Sequence, residues 1–161
     1  MSIMNNPAYA VMLDALADAL TPGFVYVFAG TMPATASEAL NMVTTHTEVA
    51  MLSVSDDGVT GLTFEAAVGP VVSKETTQDW EGLADFDGFV SGPGTLTPTF
   101  FRFCASGDNG RTLNTTTARL QGTVGGPAST ADMKLAADTV TDKGTNTVIA
   151  AGFNIRLSNI G

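Results

Sequence analysis

Cysteine and histidine are almost missing from this chain of 161 residues, which contains one of each, Cys104 and His46. A single cysteine excludes an internal disulfide, and these two residues cannot supply the four ligands of a structural zinc site. Cys104 ends the largely apolar run Phe100–Cys104, where a thiol is typical of a small buried hydrophobe rather than a nucleophile. The chain therefore has to fold through packing, for which its length is sufficient.

Positive charge is also scarce, because seven lysines and arginines stand against sixteen aspartates and glutamates, giving a net charge of −9. A phosphate backbone is bound by several cations on one face, so we expect no nucleic acid partner, and the same deficit argues against an anionic membrane. The sequence also lacks an apolar run of roughly 20 residues and, at residues 1–7, a basic and apolar leader. We therefore expect a soluble protein that is synthesised in a cytoplasm.

The residue types that catalysis needs are few and scattered. His46 lies in the polar stretch 44–47 with no serine motif beside it, and no local signature supports a pair with Cys104. The segment Asp85–Gly88 resembles half of a calcium loop but lacks the glutamate that closes one. Several carboxylates could form a glycosidase-like pair by residue type, but glycine follows each closely, which is typical of solvated turns: Asp56, Asp57, Glu81, Asp85, Asp87 and Asp108. We expect no enzymatic activity, no cofactor and no metal.

Hydrophobic periodicity predicts one helix, at residues 7–20. Asn6 is a suitable N-cap, Pro7 fits the first helical position, and Thr21-Pro22-Gly23 ends the pattern. Apolar residues follow helical spacing at Tyr9, Met12, Leu13, Leu16 and Leu20. The helix could cover one end of the domain's own core or dock on a neighbouring subunit.

The rest of the chain is predicted to be strand and turn. Glycine, aspartate, asparagine and proline clusters separate the apolar runs, as between the strands of a β-sandwich. Strands are predicted at residues 24–29, 48–54, 62–68, 98–104, 118–124, 133–137 and 148–157. We therefore predict a mainly β protein, a jelly-roll-like β-sandwich with one short N-terminal α-helix, forming a single domain over residues 1–161.

The predicted core takes large apolar residues from the helix and from each strand. Alternation leaves the strand register open by one residue, and a shift of one residue would exchange the two faces. The predicted core consists of Leu13, Leu16, Phe24, Tyr26, Phe28, Leu52, Phe64, Phe101, Phe103, Leu120, Val124, Leu135, Phe153 and Ile155.

Residues 76–94 are predicted to form a long aromatic and acidic loop outside the sandwich. The loop carries the single tryptophan, Trp80, together with Phe86 and Phe89, among acidic residues and glycines. Rigid aromatic side chains dominate interface energetics, so we predict that these three residues contact a neighbouring subunit or partner. Alternatively, the rings fold back and complete the domain's own core.

The opening of the chain combines a helix, an apolar strand, a G-T-x-P-A turn and an A-L segment, at residues 12–16, 23–28, 30–34 and 39–40. This order resembles the opening of a family of tailed-bacteriophage structural proteins that decorate the head. The later pieces are similar in the same order. They are the aromatic-arginine strand at 99–103, x-G-[ST]-V-G at 121–125, A-D-[LM]-x-L at 131–135, and closing strands at Val148 and 152–155.

This resemblance implies a capsid decoration (cement) protein that binds the outer surface of the assembled head and stabilises the shell. Its partners would be the major capsid protein and copies of itself, a trimer being one arrangement that shell symmetry allows. Acidic charge suits an outer position on the virion, since an inner one would face DNA phosphates. A second hypothesis is a tail, baseplate or fibre-associated β-module that binds a receptor or glycan through Trp80, Phe86 and Phe89.

Overall fold

The computed structural model describes residues 6–91, 93–142 and 147–156, which form one helix and eleven strands. The helix, α1, spans Asn6–Leu20, so the sequence prediction of a helix at 7–20 is confirmed. The strands are β1 (Gly23–Ala29), β2 (Thr47–Val54), β3 (Val71–Ser73), β4 (Trp80–Leu83), β5 (Asp87–Gly88), β6 (Thr95–Leu96), β7 (Phe100–Ala105), β8 (Arg119–Gly125), β9 (Met133–Leu135), β10 (Val140–Thr141) and β11 (Thr147–Arg156).

Seven of these strands close into a barrel. Strand β1 pairs with both β2 and β7, and the path continues from β7 through β8, β9, β11 and β4 back to β2. Neighbours in this ring are antiparallel except for β8 and β9, which are parallel. Strands β3 and β5 add to β11 and β2, and β6 pairs with β10 in a separate ribbon. Closure pairs strands that would otherwise be sheet edges.

The closed barrel corrects the prediction of a β-sandwich. The mainly β composition and the single helix are confirmed, but the strands form one sheet closed on itself rather than two packed sheets. The predicted strand at 62–68 is also wrong, because this stretch makes only isolated bridges at Leu62, Phe64 and Val68. The predicted loop at 76–94 is likewise corrected, since it contains β4 and β5.

The buried face of α1 packs at the barrel. Leu13 and Ala17 form a small cluster with Val72 of β3, and Leu20 joins the main core. The Asp14 carboxylate accepts a hydrogen bond from the main-chain N–H of Ala67 at 2.8 Å, which fixes the helix to the segment before β3. Met12 belongs to the predicted apolar stripe of the helix, but its side chain is exposed.

The barrel interior is filled by aromatic and aliphatic side chains. Phe101, Phe103, Leu52, Leu135 and Phe153 are buried in it, as predicted. Strand β1 takes the other register, because Val25 and Val27 face the interior and Tyr26 and Phe28 lie on the outer face. That outer face is nonetheless covered, because Phe28 is buried in a cluster with Leu40 and Phe100.

Candidate interaction surface

Two long loops cover the outer face of strands β1, β7 and β8. We call residues 30–46 and 106–118 together the loop layer. Beneath it, Phe28 and Phe100 stack with ring centroids 5.1 Å apart, and they cluster with Leu40 of the first loop. This apolar cluster forms only part of the contact between the loop layer and the barrel, and buried polar side chains form the rest.

Arg102, at the centre of β7, is fully buried and ties both loops to the barrel. Its guanidinium donates to the carbonyl oxygens of Glu38 at 2.8 Å and of Gly110 at 2.6 Å, and its Nε donates to the Gln121 side chain at 3.3 Å. Burial and the nearby positive charge of Arg119 lower its pKa. A guanidinium provides five donors in a fixed plane, so one side chain can hold two separate loops.

Arg119, the corresponding side chain on β8, forms a two-point ion pair with Asp108. Its Nε and one terminal nitrogen each lie 2.5 Å from a carboxylate oxygen of Asp108, and both side chains are buried. Burial by itself would raise the pKa of Asp108, but hydrogen bonds from Arg119 and from the Gly110 N–H outweigh burial and lower it. Paired geometry of this kind compensates the desolvation of both charges.

Arg111 links the second loop of the layer to strands β2 and β5. Its Nε lies 2.7 Å from a carboxylate oxygen of Glu48 on β2, and a terminal nitrogen lies 2.5 Å from Asp87 on β5. The Arg111 carbonyl accepts a hydrogen bond from the Leu40 N–H at 2.7 Å, which joins the two loops directly. Burial raises the pKa of Glu48 despite the attraction of Arg111.

His46 orders the end of the first loop. Its Nε2 lies 2.8 Å from the carbonyl oxygen of Thr31, so this nitrogen carries the proton, and Nδ1 accepts from the main-chain N–H of Asn41 and the hydroxyl of Thr45. The His46 carbonyl in turn accepts the N–H of Phe89 at 2.9 Å. Both ring nitrogens therefore hold loop segments in place.

Cys104 lies on the same outer face and is fully buried. Burial raises the pKa of its thiol to about 12, so the thiolate that nucleophilic chemistry needs does not form near neutral pH. The interpretation of Cys104 as a small packed hydrophobe agrees with this environment.

The loop layer and the adjoining β5 turn expose large apolar side chains. Val43 is 81% exposed, Leu113 68%, Phe89 56% and Met32 39%. We call these four residues the loop-layer patch. Their segments are tied to each other through the hydrogen bonds of His46 with Thr31 and Phe89 and of Leu40 with Arg111. The patch is thus presented by a cross-linked surface rather than by independent loops.

The structure separates the three predicted contact residues. Trp80 is fully buried in β4, with its ring centroid 5.5 Å from that of Phe153 and 5.6 Å from those of Phe64 and Phe103. Phe86 is buried in the same core. The prediction that Trp80 and Phe86 contact a partner is therefore wrong for this structure, and the alternative in which their rings fold inward applies. Phe89 is exposed in the loop-layer patch, and its contact role stays a prediction.

The sequence carries a partial period-two signal for this segment at residues 84–87, which the apolar but exposed Leu83 interrupts on the side of Trp80. Trp80, Gly82, Ala84 and Phe86 are buried, whereas the residues between them are exposed or half-buried. Such alternation is typical of a strand with one face in the core. Gly82 is required because a Cβ there would lie 2.1 Å from the carbonyl oxygen of Met51.

Two further candidate carboxylates accept hydrogen bonds from main-chain N–H groups. Asp56 accepts the N–H of Leu83, and Asp57 accepts the N–H groups of Val59 and Thr60 in its own turn. Within residues 6–91, 93–142 and 147–156, no group of three or more histidine, cysteine, aspartate or glutamate side chains is placed to hold a metal ion. No helix in this part of the chain is long and apolar enough to cross a membrane.

Comparisons with protein-family models, with curated proteins and with solved structures gave no match to this chain.

Proposed function

We propose that this protein is a capsid decoration protein that binds the outer surface of an assembled tailed-bacteriophage head and stabilises the shell. Each copy would bridge neighbouring capsid subunits, so that opening the shell also requires breaking the contacts of the bound copy. A protein that binds only the assembled state stabilises that state by mass action. The proposal rests on the order of the sequence motifs and on the loop-layer patch.

The observation that carries the proposal is the cross-linked support under the loop-layer patch. Buried Arg102, the Arg119–Asp108 pair and Arg111 hold the loops whose outer side bears Val43 and Leu113. Surfaces that are ordered before binding lose little conformational entropy on association. Exposed apolar side chains on such a surface favour a binding function over catalysis.

Charge supports an outer position. Three of the seven lysines and arginines, Arg102, Arg111 and Arg119, are used inside the loop layer. The cations left to the solvent-facing surface are correspondingly fewer than the composition suggests. An acidic surface is repelled by packaged DNA and is compatible with the outside of a head.

The receptor-binding or glycan-binding hypothesis loses its main argument. A glycan site stacks sugar rings on exposed aromatic side chains, but Trp80 and Phe86 are buried in the barrel.

The test compares two double variants, each of which replaces two exposed apolar side chains by serine. Val43→Ser/Phe89→Ser removes apolar surface from the loop-layer patch, whereas Val59→Ser/Val68→Ser removes two valines, each 81% exposed, outside it. Binding to heads assembled without the protein is measured by co-sedimentation. We expect the patch variant to bind at least tenfold more weakly and the control to bind as the unmodified protein, since interface anchors contribute about 2 kcal/mol or more.

Two results would contradict the proposal at different levels. If the two double variants bind heads equally well, the patch is not the contact surface. If the unmodified protein does not bind heads at all, the decoration function itself is wrong.

A further inference from the structure

One part of the barrel wall is open between strands β8 and β11. The short strand β9 lies between them but pairs with β8 only at Val124 and Gly125, and with β11 only between Ala150 and Phe153. The chain before β9 does not extend this strand between β8 and β11, because Asp132 is hydrogen-bonded to Thr123. The Asp132 carboxylate accepts the Thr123 N–H, and the Asp132 N–H donates to the Thr123 hydroxyl. Residues 119–122 of β8 and 154–156 of β11 therefore face each other across a gap, which we call the β8–β11 slot.

Main-chain groups of both strands point into the slot. On β8, Val124 donates to Thr99 on the β7 side, whereas the neighbouring Thr123 N–H points away from β7 to Asp132. Hydrogen-bonding direction alternates along an antiparallel strand, so the N–H and C=O of Gln121 point into the slot. On β11, Phe153 accepts from Lys74 beside β3, so the groups of Asn154 point the other way, into the slot. In the described part of the chain, Gln121 pairs with Arg102 of β7 and Asn154 pairs with Ser73 of β3, and neither residue is paired with a strand on the slot side.

The floor of the slot is apolar and its rim carries one acidic group. A cavity of about 180 Å³ lies there, lined by side chains of the barrel interior, Phe101, Leu120, Phe153 and Ile155, and by Gln121, Asp132 and Asn154. Asp132 faces outward, because the next residue, Met133, is buried in the core. Its carboxylate is the charged group among these lining residues.

We propose that the β8–β11 slot accepts an extended segment of a partner polypeptide as an added strand in line with β9. The unpaired N–H and C=O groups of Gln121 and Asn154 match an extended main chain, which presents both groups in alternation. Inward-facing side chains of the segment would be apolar and fill the cavity, and an outward-facing lysine or arginine would lie beside Asp132. The slot is about three to four residues long, so a segment of this length in extended form spans about 10–13 Å. This inference does not depend on the proposed decoration function.

The test uses the full chain with a probe strand attached to its C-terminus. The probe is Thr-Lys-Val-Thr-Val-Lys-Thr, joined through eight glycine and serine residues, which keep the probe at a high effective concentration near the slot. The control fusion has proline in place of both valines, since proline lacks the N–H and does not extend a sheet. Amide hydrogen exchange is measured residue by residue by NMR.

We expect the Gln121 and Asn154 amides to exchange at least tenfold more slowly in the valine fusion than in the proline fusion. The amides of Leu120 and Gly122, which face β7, should be equal in both fusions and so provide an internal control. Asp132→Asn keeps an oxygen acceptor for Thr123 but removes the charge. This substitution should reduce the protection of the Gln121 and Asn154 amides several-fold in the valine fusion. It should have no effect on that protection when serine replaces both lysines of the probe.

Three results would overturn the proposal. Equal exchange of Gln121 in the two fusions would show that the slot does not accept a strand. Protection of Gln121 equal to that of Leu120 in the unfused, dilute protein would show that the edge is already paired. Protection that rises with the concentration of unfused protein would assign the slot to a second copy of this chain instead.

Discussion

The barrel interior and the loop layer are stabilised by different interactions. In the interior, aromatic and aliphatic side chains such as Trp80, Phe103 and Phe153 pack against one another. In the loop layer, a small apolar cluster is supplemented by Arg102, the Arg119–Asp108 pair and other buried polar groups. The hydrophobic effect is non-directional, whereas hydrogen bonds and ion pairs require defined distances and angles. The barrel therefore supplies stability, and the layer supplies a defined outer surface.

The largest expected effect on stability comes from removing an aromatic ring of the core, compared with removing one at the surface. Trp80→Ala should reduce the free energy of unfolding by about 3–5 kcal/mol, because it leaves a cavity among Phe64, Phe103 and Phe153. Phe89→Ala should change it by less than about 1 kcal/mol, since that ring is largely exposed. Urea denaturation measures both values. Similar losses in the two variants would contradict the division between core and surface.

The second prediction concerns the support of the loop layer. Arg102→Met fills similar space but leaves the carbonyl oxygens of Glu38 and Gly110 without their donor, at a cost of about 1–3 kcal/mol. The loss should be local, so amides in residues 30–46 and 106–118 should exchange faster while interior strands such as β2 keep their protection. A uniform acceleration over the whole chain would show that the layer and the barrel unfold as one unit.

The positions of the main elements could be predicted from the sequence because each carries a local signal. Asn6 and Pro7 mark the start of α1, and runs rich in apolar residues mark β1, β2 and β7 to within two residues. Thr35 and Glu38 form a capping contact around a single turn, with the Thr35 N–H donating to the Glu38 side chain at 3.0 Å. Barrel closure depends on which distant strands pair, and no local signal specifies that.

The register of β1 illustrates the limit of alternation. All residues from Phe24 to Ala29 are apolar, so alternation cannot say which side chains face the interior. The pairing resolves it, since Tyr26 lies opposite Arg102 and directly opposed residues share a face of the sheet. Arg102 is therefore the informative residue, but only once its strand partner is known. The ion pairs of Arg111 join residues 63 and 24 positions apart, and that of Arg119 joins residues 11 positions apart, so no local pattern indicates them either.

A smaller effect is expected at the thiol beneath the loop layer. Cys104→Ala should cost about 1 kcal/mol, because it removes one small buried atom from a tightly packed site. The variant changes no residue of the loop-layer patch, so head binding should be unchanged. Calorimetric unfolding and co-sedimentation with heads measure the two properties. Loss of binding by a fully folded Cys104→Ala protein would show that the thiol has a chemical role.

The smallest effects come from two carboxylates whose pKa values shift in opposite directions. Asp108 has a lowered pKa in the folded state, so its contribution to stability is present above the ordinary aspartate range and is lost as the pH falls through the folded pKa. Glu48 has a raised pKa, so its contribution is present below the ordinary glutamate range and is lost as the pH rises through the folded pKa.

Together these two groups give a stability maximum in the mildly acidic range. In urea titrations between about pH 3 and 7, Asp108→Asn should flatten the decline on the acid side. Glu48→Gln, which keeps an oxygen acceptor for Arg111, should flatten the decline as the pH rises above about 4.3, the usual glutamate value. Each variant should leave the other side of the maximum in place, because the two carboxylates pair with different arginines. If Glu48→Gln leaves the rising-pH side unchanged, burial of Glu48 is not coupled to folding, and the polar support of the loop layer is weaker than the structure indicates.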